Sequence, residues 1–314
     1  MKRRVIFVIT KEVHALDLAG PLQVFYEAGT YGLSYQILYV SQQRTQQLSA
    51  HLGLNKLHPF KDIQLKPQDI ILIPGFNTNC FVSERDGALF SWLRMAAERG
   101  VLICSVCTGA FLLAAAGLLD GRYCTTHWKY IQALQAQYPK TKVQKDKIFV
   151  CDENIYSSAG VTTGIDLALY IIEQRHGSEI AYKIAREIVV YTRRSGEEKQ
   201  QSIFLLYHQH MNSSVHALQD WILQNLNKPI TLETLALRMH TSSRNLTRLF
   251  KKTTGITIGQ YVEKLRLEIA VQLLKKQHKV ESVATRCGLK TTTQLRSLLK
   301  KHAHLLPSAI KKMS

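Results

Sequence analysis

LETLALRMHTSSRNLTRLFKK at 232–252 and VESVATRCGLKTTTQLRSLLKK at 280–301 are two copies of one pattern. Glu233, Ala236 and Arg238 pair with Glu281, Ala284 and Arg286 at an offset of 48 residues. After a one-residue gap in the turn, Leu246, Leu249, Lys251 and Lys252 pair with Leu295, Leu298, Lys300 and Lys301 at an offset of 49. Self-similarity of this kind marks a supersecondary unit used twice. Each copy reads as a helix, a tight turn and a second helix, with Ala236 or Ala284 where the two helices must approach closely.

The second helix of each copy carries the chemistry. In the first, Leu246, Leu249 and Phe250 form the apolar stripe, which leaves Arg244, Thr247 and Arg248 on one outward face. In the second, Leu295, Leu298 and Leu299 point inward, and Thr292, Thr293, Arg296 and Lys300 point outward. Arginine reads guanine edges bidentately, and threonine bonds base edges or touches a thymine methyl. Lys251, Lys252, Lys300 and Lys301 suit phosphates, which set position and salt dependence. Charge agrees with this assignment. Residues 214–314 hold 18 lysines and arginines against five acids, a balance of +13, whereas residues 1–213 hold 23 against 18. A positive field confined to the C-terminal third would attract a polyanion such as nucleic acid or an acidic membrane face, and with the repeat it makes double-stranded DNA the expected partner.

Working outward, the chain from 215 on is helical, with helices expected at 215–227, 232–239, 243–253, 257–277, 281–287, 292–302 and 307–312. Pro229, Gly255, Gly288 and Pro307 punctuate them. Ahead of residue 192 the pattern changes. VIFVIT (5–10), YQILYVS (35–41), DIILIPG (69–75), VLICSV (101–106) and IYSSAG (155–160) are short apolar runs separated by amphipathic stretches near 19–28, 85–99, 108–117, 127–137, 161–176 and 179–191. Such runs are strands covered on both faces, hence a parallel sheet between helices. KIFVCDENIYSSA reads as a hairpin turning at Asp152, Glu153 and Asn154. The boundaries are therefore a domain at 1–192, a linker at 193–214 opening with RRSGEEKQQ, and a helical domain at 215–314.

ICSVCTGAFLLAAAGLLDGR at 103–122 runs from strand through a sharp turn into a helix, with Cys107 at the turn. A thiol at a helix N-terminus meets unpaired N–H groups, so its thiolate is expected to be favoured and a nearby anion bound. His127, in TTHW, could pair with it or could equally be a hydrogen-bonded pocket residue. Cys104 and Cys107 form a C-x-x-C, but Cys104 lies within the strand and reads as a small buried hydrophobe; no second pair completes a zinc site. His208-Gln209-His210 and His302-Ala303-His304 read as exposed polar pairs. No metal and no cofactor is expected.

A hydrophobic content of 46% excludes disorder. The six cysteines, Cys80, Cys104, Cys107, Cys124, Cys151 and Cys287, are dispersed, and the charged N-terminus does not read as a signal peptide, so a reducing cytoplasm is expected. The longest apolar run, Phe111 to Leu119, falls short of the ~20 residues that span a bilayer.

At LTRLFKKTTGIT (246–257), YVEKLRLEIAVQLL (261–274) and VATRCGL (283–289) the chain resembles the AraC/XylS family of transcription regulators, over about residues 215–312. The resemblance implies that Ser242–Phe250 and Thr292–Leu299 fall on recognition helices that enter successive major-groove segments. Leu299, His302 and Ala303 depart from the family's phenylalanines and glycine. The N-terminal part resembles the DJ-1/PfpI branch of the flavodoxin-like class I glutamine amidotransferase fold, through Cys107, DLAGP (17–21), IPGF (73–76) and SSAGVTTGIDLAL (157–169). That resemblance implies a ligand pocket lined by Asp17, Gln23, Gly75, Cys107, Thr108, His127 and Trp128. Gln23 stands where many relatives carry a glutamate beside the cysteine, and an amide cannot act as acid or base, so a non-catalytic sensor is expected.

Together the two resemblances imply a DNA-binding transcription regulator whose N-terminal domain senses a small nitrogenous metabolite such as an amino acid or betaine; a homodimer is expected because paired sites increase reach and effective concentration. Two other classes compete with it. A cysteine-dependent hydrolase, hydratase or glyoxalase-like enzyme fused to a DNA-binding module predicts turnover that depends on Cys107. A nonspecific nucleoid protein predicts no preferred DNA sequence.

Overall fold

The computed structural model describes residues 3–78, 87–190, 194–196, 200, 202–208, 210–303 and 305–312. Cys80, Gln209, His304 and the ends of the helices expected at 85–99 and 179–191 lie outside the described residues. The chain divides into two compact units, Met1–Gln200 and Gln201–Ser314.

The first unit is built on a seven-stranded sheet in the order Phe149–Asp152, Ile155–Ser158, Leu102–Val106, Ile70–Ile73, Arg3–Val8, Tyr35–Ser41, His58–Pro59. All neighbours are parallel except the Phe149–Asp152/Ile155–Ser158 hairpin, whose turn residue Glu153 has φ +50°. The central strand Ile70–Ile73 is buried at every position, because helices cover both of its faces. Those helices are α1 (Ala15–Glu27), α2 (Gly87–Glu98), α3 (Gly109–Ala115), α4 (Ile131–Gln137), α5 (Thr163–His176) and α6 (Ser178–Glu187). The α1, α5 and α6 helices pack on one another, and α2 packs on α3.

One boundary corrects the sequence reading. Helix α1 starts a turn earlier than residue 19, so Pro21 lies inside it rather than near its first turn. The proline ring is accommodated against Gly164 of α5, where an added Cβ would stand 3.0 Å from Pro21 Cγ. The earlier start carries His14 to the helix cap and Asp17 into its first turn.

The second unit is helical: α7 (Ile203–Leu206), α8 (Ser213–Gln224), α9 (Leu232–Arg238), α10 (Ser243–Thr254), α11 (Ile258–Lys275), α12 (Val280–Arg286), α13 (Thr292–Ala303) and α14 (Pro307–Lys312). It has two apolar cores rather than one. Leu235, Ala236, Leu246 and Phe250 share the first with Ile258, Tyr261, Val262 and Leu265 of α11. Val283, Ala284, Leu295 and Leu299 share the second with Ala270 and Leu274 of the same helix. Ile269 packs against both. The start of α11 is fixed by a capping box, in which the Thr257 hydroxyl accepts the Gln260 N–H at 3.2 Å and the Gln260 side chain accepts the Thr257 N–H at 2.9 Å. At about 1.5 Å per residue this single helix separates the two helix pairs along ~27 Å.

Candidate functional site

In the first unit the strand Leu102–Val106 ends at Cys107, which takes φ +56°, a left-handed conformation that is costly for a residue with a side chain. The surroundings hold it there. Its N–H donates to the Ser158 carbonyl at 2.9 Å, and its carbonyl accepts the Thr126 hydroxyl at 2.8 Å. Gly75 and Gly160 close over it: a Cβ on Gly160 would overlap Cys107, and one on Gly75 would overlap both Cys107 and the Asp17 carboxylate. Thr108 is buried, and its hydroxyl is engaged twice by the Phe76 backbone, donating to the carbonyl at 2.7 Å and accepting the N–H at 2.8 Å. Thr108 thus clamps the loop that carries Gly75.

The groups beside the thiol differ from the expected set. His14, Asp17 and Cys107 bring one nitrogen, one carboxylate oxygen and the sulfur within 4.8 Å of one another. His14 was missed because the turn ahead of α1 was read as loop, although its spacing of three residues from Asp17 could have indicated it. Gln23 is corrected: it is exposed and its amide donates to Glu27 at 2.7 Å. Six residues beyond Asp17 at about 100° each, it faces another side of α1. The acid beside the cysteine is Asp17, held by the Val161 N–H on Oδ1 at 2.5 Å. Asp17 belonged to the expected pocket, so the Gln23 substitution does not leave the thiol without a neighbouring acid. The expected thiolate is corrected too. Burial pushes the Cys107 thiol well above its ordinary range and the Asp17 carboxylate pushes it further, against the opposing pull of the Thr108 N–H.

His127 is half-buried; its Nδ1 accepts the Lys129 N–H at 3.4 Å and its ring lies 5.3 Å from that of Trp128, which is 46% exposed. Burial holds the imidazole below its ordinary pKa, against the pull of Asp17. Among the described residues no hydrogen bond joins His127 to Cys107.

Two residues of the expected linker are fastened beside this pocket. Arg194 donates to Asp166 Oδ2 at 3.0 and 2.6 Å and to the Thr162 hydroxyl at 2.8 Å. Asp166 is almost wholly buried, and burial raises its carboxyl against the pull of Arg194. The Gln200 amide faces the Thr126 carbonyl at 2.9 Å, the Lys147 carbonyl at 3.1 Å and the Thr125 hydroxyl at 3.1 Å. Thr126 bonds Cys107 directly, and Thr162 follows the Gly160–Val161 turn that packs on Cys107 and Asp17.

In the second unit α10 and α13 are the second helices of the two repeats. Arg244, Arg248, Lys251 and Lys252 are exposed, and so are Thr293, Arg296 and Lys300. Thr247 and Thr292 are half-buried, and the Thr247 hydroxyl donates back to the Ser243 carbonyl at 2.9 Å. Among the described residues none of the six basic side chains on these faces pairs with a carboxylate. Two expectations are corrected. Leu249 is 36% exposed, because Leu246 and Phe250 alone meet the core of the first pair. Lys301 is paired where Lys300 is not: its ammonium lies 3.0 Å from both oxygens of Glu263 on α11, and His302 reaches the same carboxylate at 3.2 Å. Nor are His208 and His210 an exposed pair. Both are partly buried and stack with His216, at ring separations of 4.0 Å for His208–His216 and 4.3 Å for His210–His216. Cys104 is a fully buried strand residue with a free thiol.

Comparison with known proteins matches both halves of this architecture. The model of the DJ-1/PfpI family covers residues 3–174, and that of a helix-turn-helix domain covers 235–313. The chain belongs to the DJ-1/PfpI family and carries an AraC-type helix-turn-helix domain behind it. It is similar to the HTH-type transcriptional regulator GbdR of Pseudomonas aeruginosa, with 35% identity over 207 residues, 64% of this chain and 55% of that one. The chain thus spans little more than half the length of that relative. The HTH-type transcriptional regulator CdhR of the same organism is 33% identical over 229 residues, 72% of this chain and 67% of CdhR. An isonitrile hydratase of Pseudomonas putida is 29% identical over 182 residues, 58% of this chain and 76% of the enzyme. A solved AraC family transcriptional regulator from Pseudomonas putida shares the fold at TM-score 0.52 and 20% identity, covering 60% of this chain and 99% of its own. No helix among the described residues is long and apolar enough to cross a membrane.

Proposed function

We propose that this protein is a transcription regulator that reads double-stranded DNA with α10 and α13, and that the pocket around Cys107 takes a small nitrogenous metabolite that tunes the reading. The supporting observation is the pair of like-built helices, each with an uncompensated basic face joined to the other through α11. Arg244 and Arg248, one turn apart, are the base readers of the first helix, and Thr293 and Arg296 those of the second; Lys251, Lys252 and Lys300 hold phosphates. Pocket and linker are coupled because Arg194 and Gln200 attach one hydrogen bond or one turn away from the residues that cage Cys107. A ligand that favours one arrangement of Thr126 or Val161 biases the linker by its difference in affinity between the two arrangements. A second copy of the chain places two such readers on one operator.

Selection of bound sequences from random DNA tests the reading, followed by binding of Arg248→Ala and Lys252→Ala to the selected and to scrambled sites. Arg248→Ala is expected to weaken the selected site by ~1–3 kcal/mol and to relax specificity, while Lys252→Ala weakens both DNAs alike. Equal losses on both DNAs for both variants refute it. The Asp17 carboxylate beside the Cys107 thiol favours one second reading, a cysteine-dependent hydratase or hydrolase with a DNA-binding module. Turnover of isonitriles, small amides or dicarbonyls that Cys107→Ser abolishes would establish that reading.

A further inference from the structure

We propose that His14, Asp17 and Cys107 form a binding site for a divalent transition-metal ion of the zinc type. The three donor atoms lie within 4.8 Å of one another, and His14 Nδ1 stands 3.2 Å from Asp17 Oδ2. Nitrogen, carboxylate oxygen and sulfur together suit a borderline ion such as Zn²⁺; magnesium and calcium avoid sulfur. Each donor is fixed by separate backbone contacts. The His14 N–H donates to the Gly75 carbonyl at 2.7 Å at the start of α1, Asp17 is held through its other oxygen by Val161, and Cys107 is held in its left-handed conformation. Such outer contacts orient ligands before an ion arrives.

Charge points the same way. A carboxylate stands against a buried thiol, and among the described residues its ion-pair partner is His14, itself a proposed ligand. A dication supplies the missing positive charge, and the step is balanced: the thiol loses its proton to solvent as sulfur bonds the metal. Glycines crowd the strand side, whereas the His14 side chain is 38% exposed, so the open side of the site leaves a fourth position for water or for the amine or carboxylate of a small ligand. Among the described residues, His14, Asp17 and Cys107 are the group whose donor atoms converge closely enough to share an ion; the stacked histidines of the second unit do not form one.

The test is titration of the tag-free, chelator-stripped full chain with Co²⁺ and then Zn²⁺, without DNA or metabolite. One equivalent of cobalt is expected to give a near-ultraviolet thiolate-to-metal absorption band that zinc abolishes. Cys107→Ser removes the band, and His14→Ala, on the exposed side, weakens cobalt binding at least about ten-fold; thermal unfolding confirms that both variants are folded. Absence of saturable uptake in the wild type, an unchanged band in folded Cys107→Ser, or an unchanged cobalt affinity in folded His14→Ala overturns the proposal. The pocket is the one assigned above to the metabolite, but the readout involves neither DNA nor metabolite, so failure here is distinct from failure of that reading.

Discussion

Lys300 and Lys301 are adjacent on α13 yet should behave differently when DNA binds. Both are exposed, but Lys301 is tied to Glu263 and Lys300 is not. Each phosphate neutralised by a free cation steepens the dependence of log K on log salt by about 0.9. With Lys251, Lys252 and Lys300 on phosphates, these three contacts give a slope of about −2.7, a loss of roughly forty-fold between about 50 and 200 mM salt. Removing one such contact lowers the slope by ~0.9, equivalent to about three- to four-fold over that range. Lys300→Ala should show this change. Lys301→Ala should show much less, since its charge is already answered by a carboxylate, and Glu263→Gln should steepen the slope by releasing it. Fluorescence anisotropy of a labelled operator across a salt series measures all three. Equal slope changes for Lys300→Ala and Lys301→Ala would refute the assignment of phosphate contacts from pairing in the structure.

Two further predictions concern stability. Arg194→Ala leaves the buried Asp166 carboxylate with the Arg194 backbone N–H but without its guanidinium partner, and should cost toward the lower end of ~3–5 kcal/mol because the arginine is partly exposed; chemical denaturation of the full chain measures it, and a loss below about 0.5 kcal/mol, typical of a surface pair, would contradict a structural role. Burial, then His216 and His210, hold the His208 imidazole below its ordinary 6.5, with Asp220 opposing. Its neutral form is therefore favoured by folding: the contribution is present above about pH 6.5 and is lost as pH falls through the depressed folded value. Melting curves at about pH 7.5 and 5.5 should show an acid destabilisation that is smaller in His208→Gln; an unchanged pH response in that variant excludes the histidine stack as its source.

The fold was largely legible because its elements have strong periods. Four-residue runs such as IILI and the paired repeats of the C-terminal third each have one reading that buries their apolar side chains. The misreadings have a shared cause: they depend on the phase of a helix or on contacts far along the chain. Placing the start of α1 at residue 19 hid His14 at its cap, and the resemblance alone put Gln23 beside the cysteine, whereas the phase of α1 turns Gln23 away from Asp17 toward Glu27. Leu249 belongs to the apolar stripe by spacing, but α10 is covered on a strip only as wide as Leu246 and Phe250. Lys301 looks free until Glu263, 38 residues earlier, is brought beside it. The attachments of Arg194 to Asp166 and of Gln200 to Thr125 span 28 and 75 residues and have no periodic signature.

The capping box at Thr257 and the two cores threaded on α11 carry a consequence for operator architecture. A rigid screw joins the two readers, so one inserted residue would not merely lengthen the spacer by ~1.5 Å but swing the second reader by ~100°. Any change in half-site spacing must come in steps of about seven residues, two full turns, before both helices again face the same side of a duplex. On the DNA reading proposed above, helix geometry would hold promoters to a fixed phasing and leave base identity, rather than spacer length, free to vary.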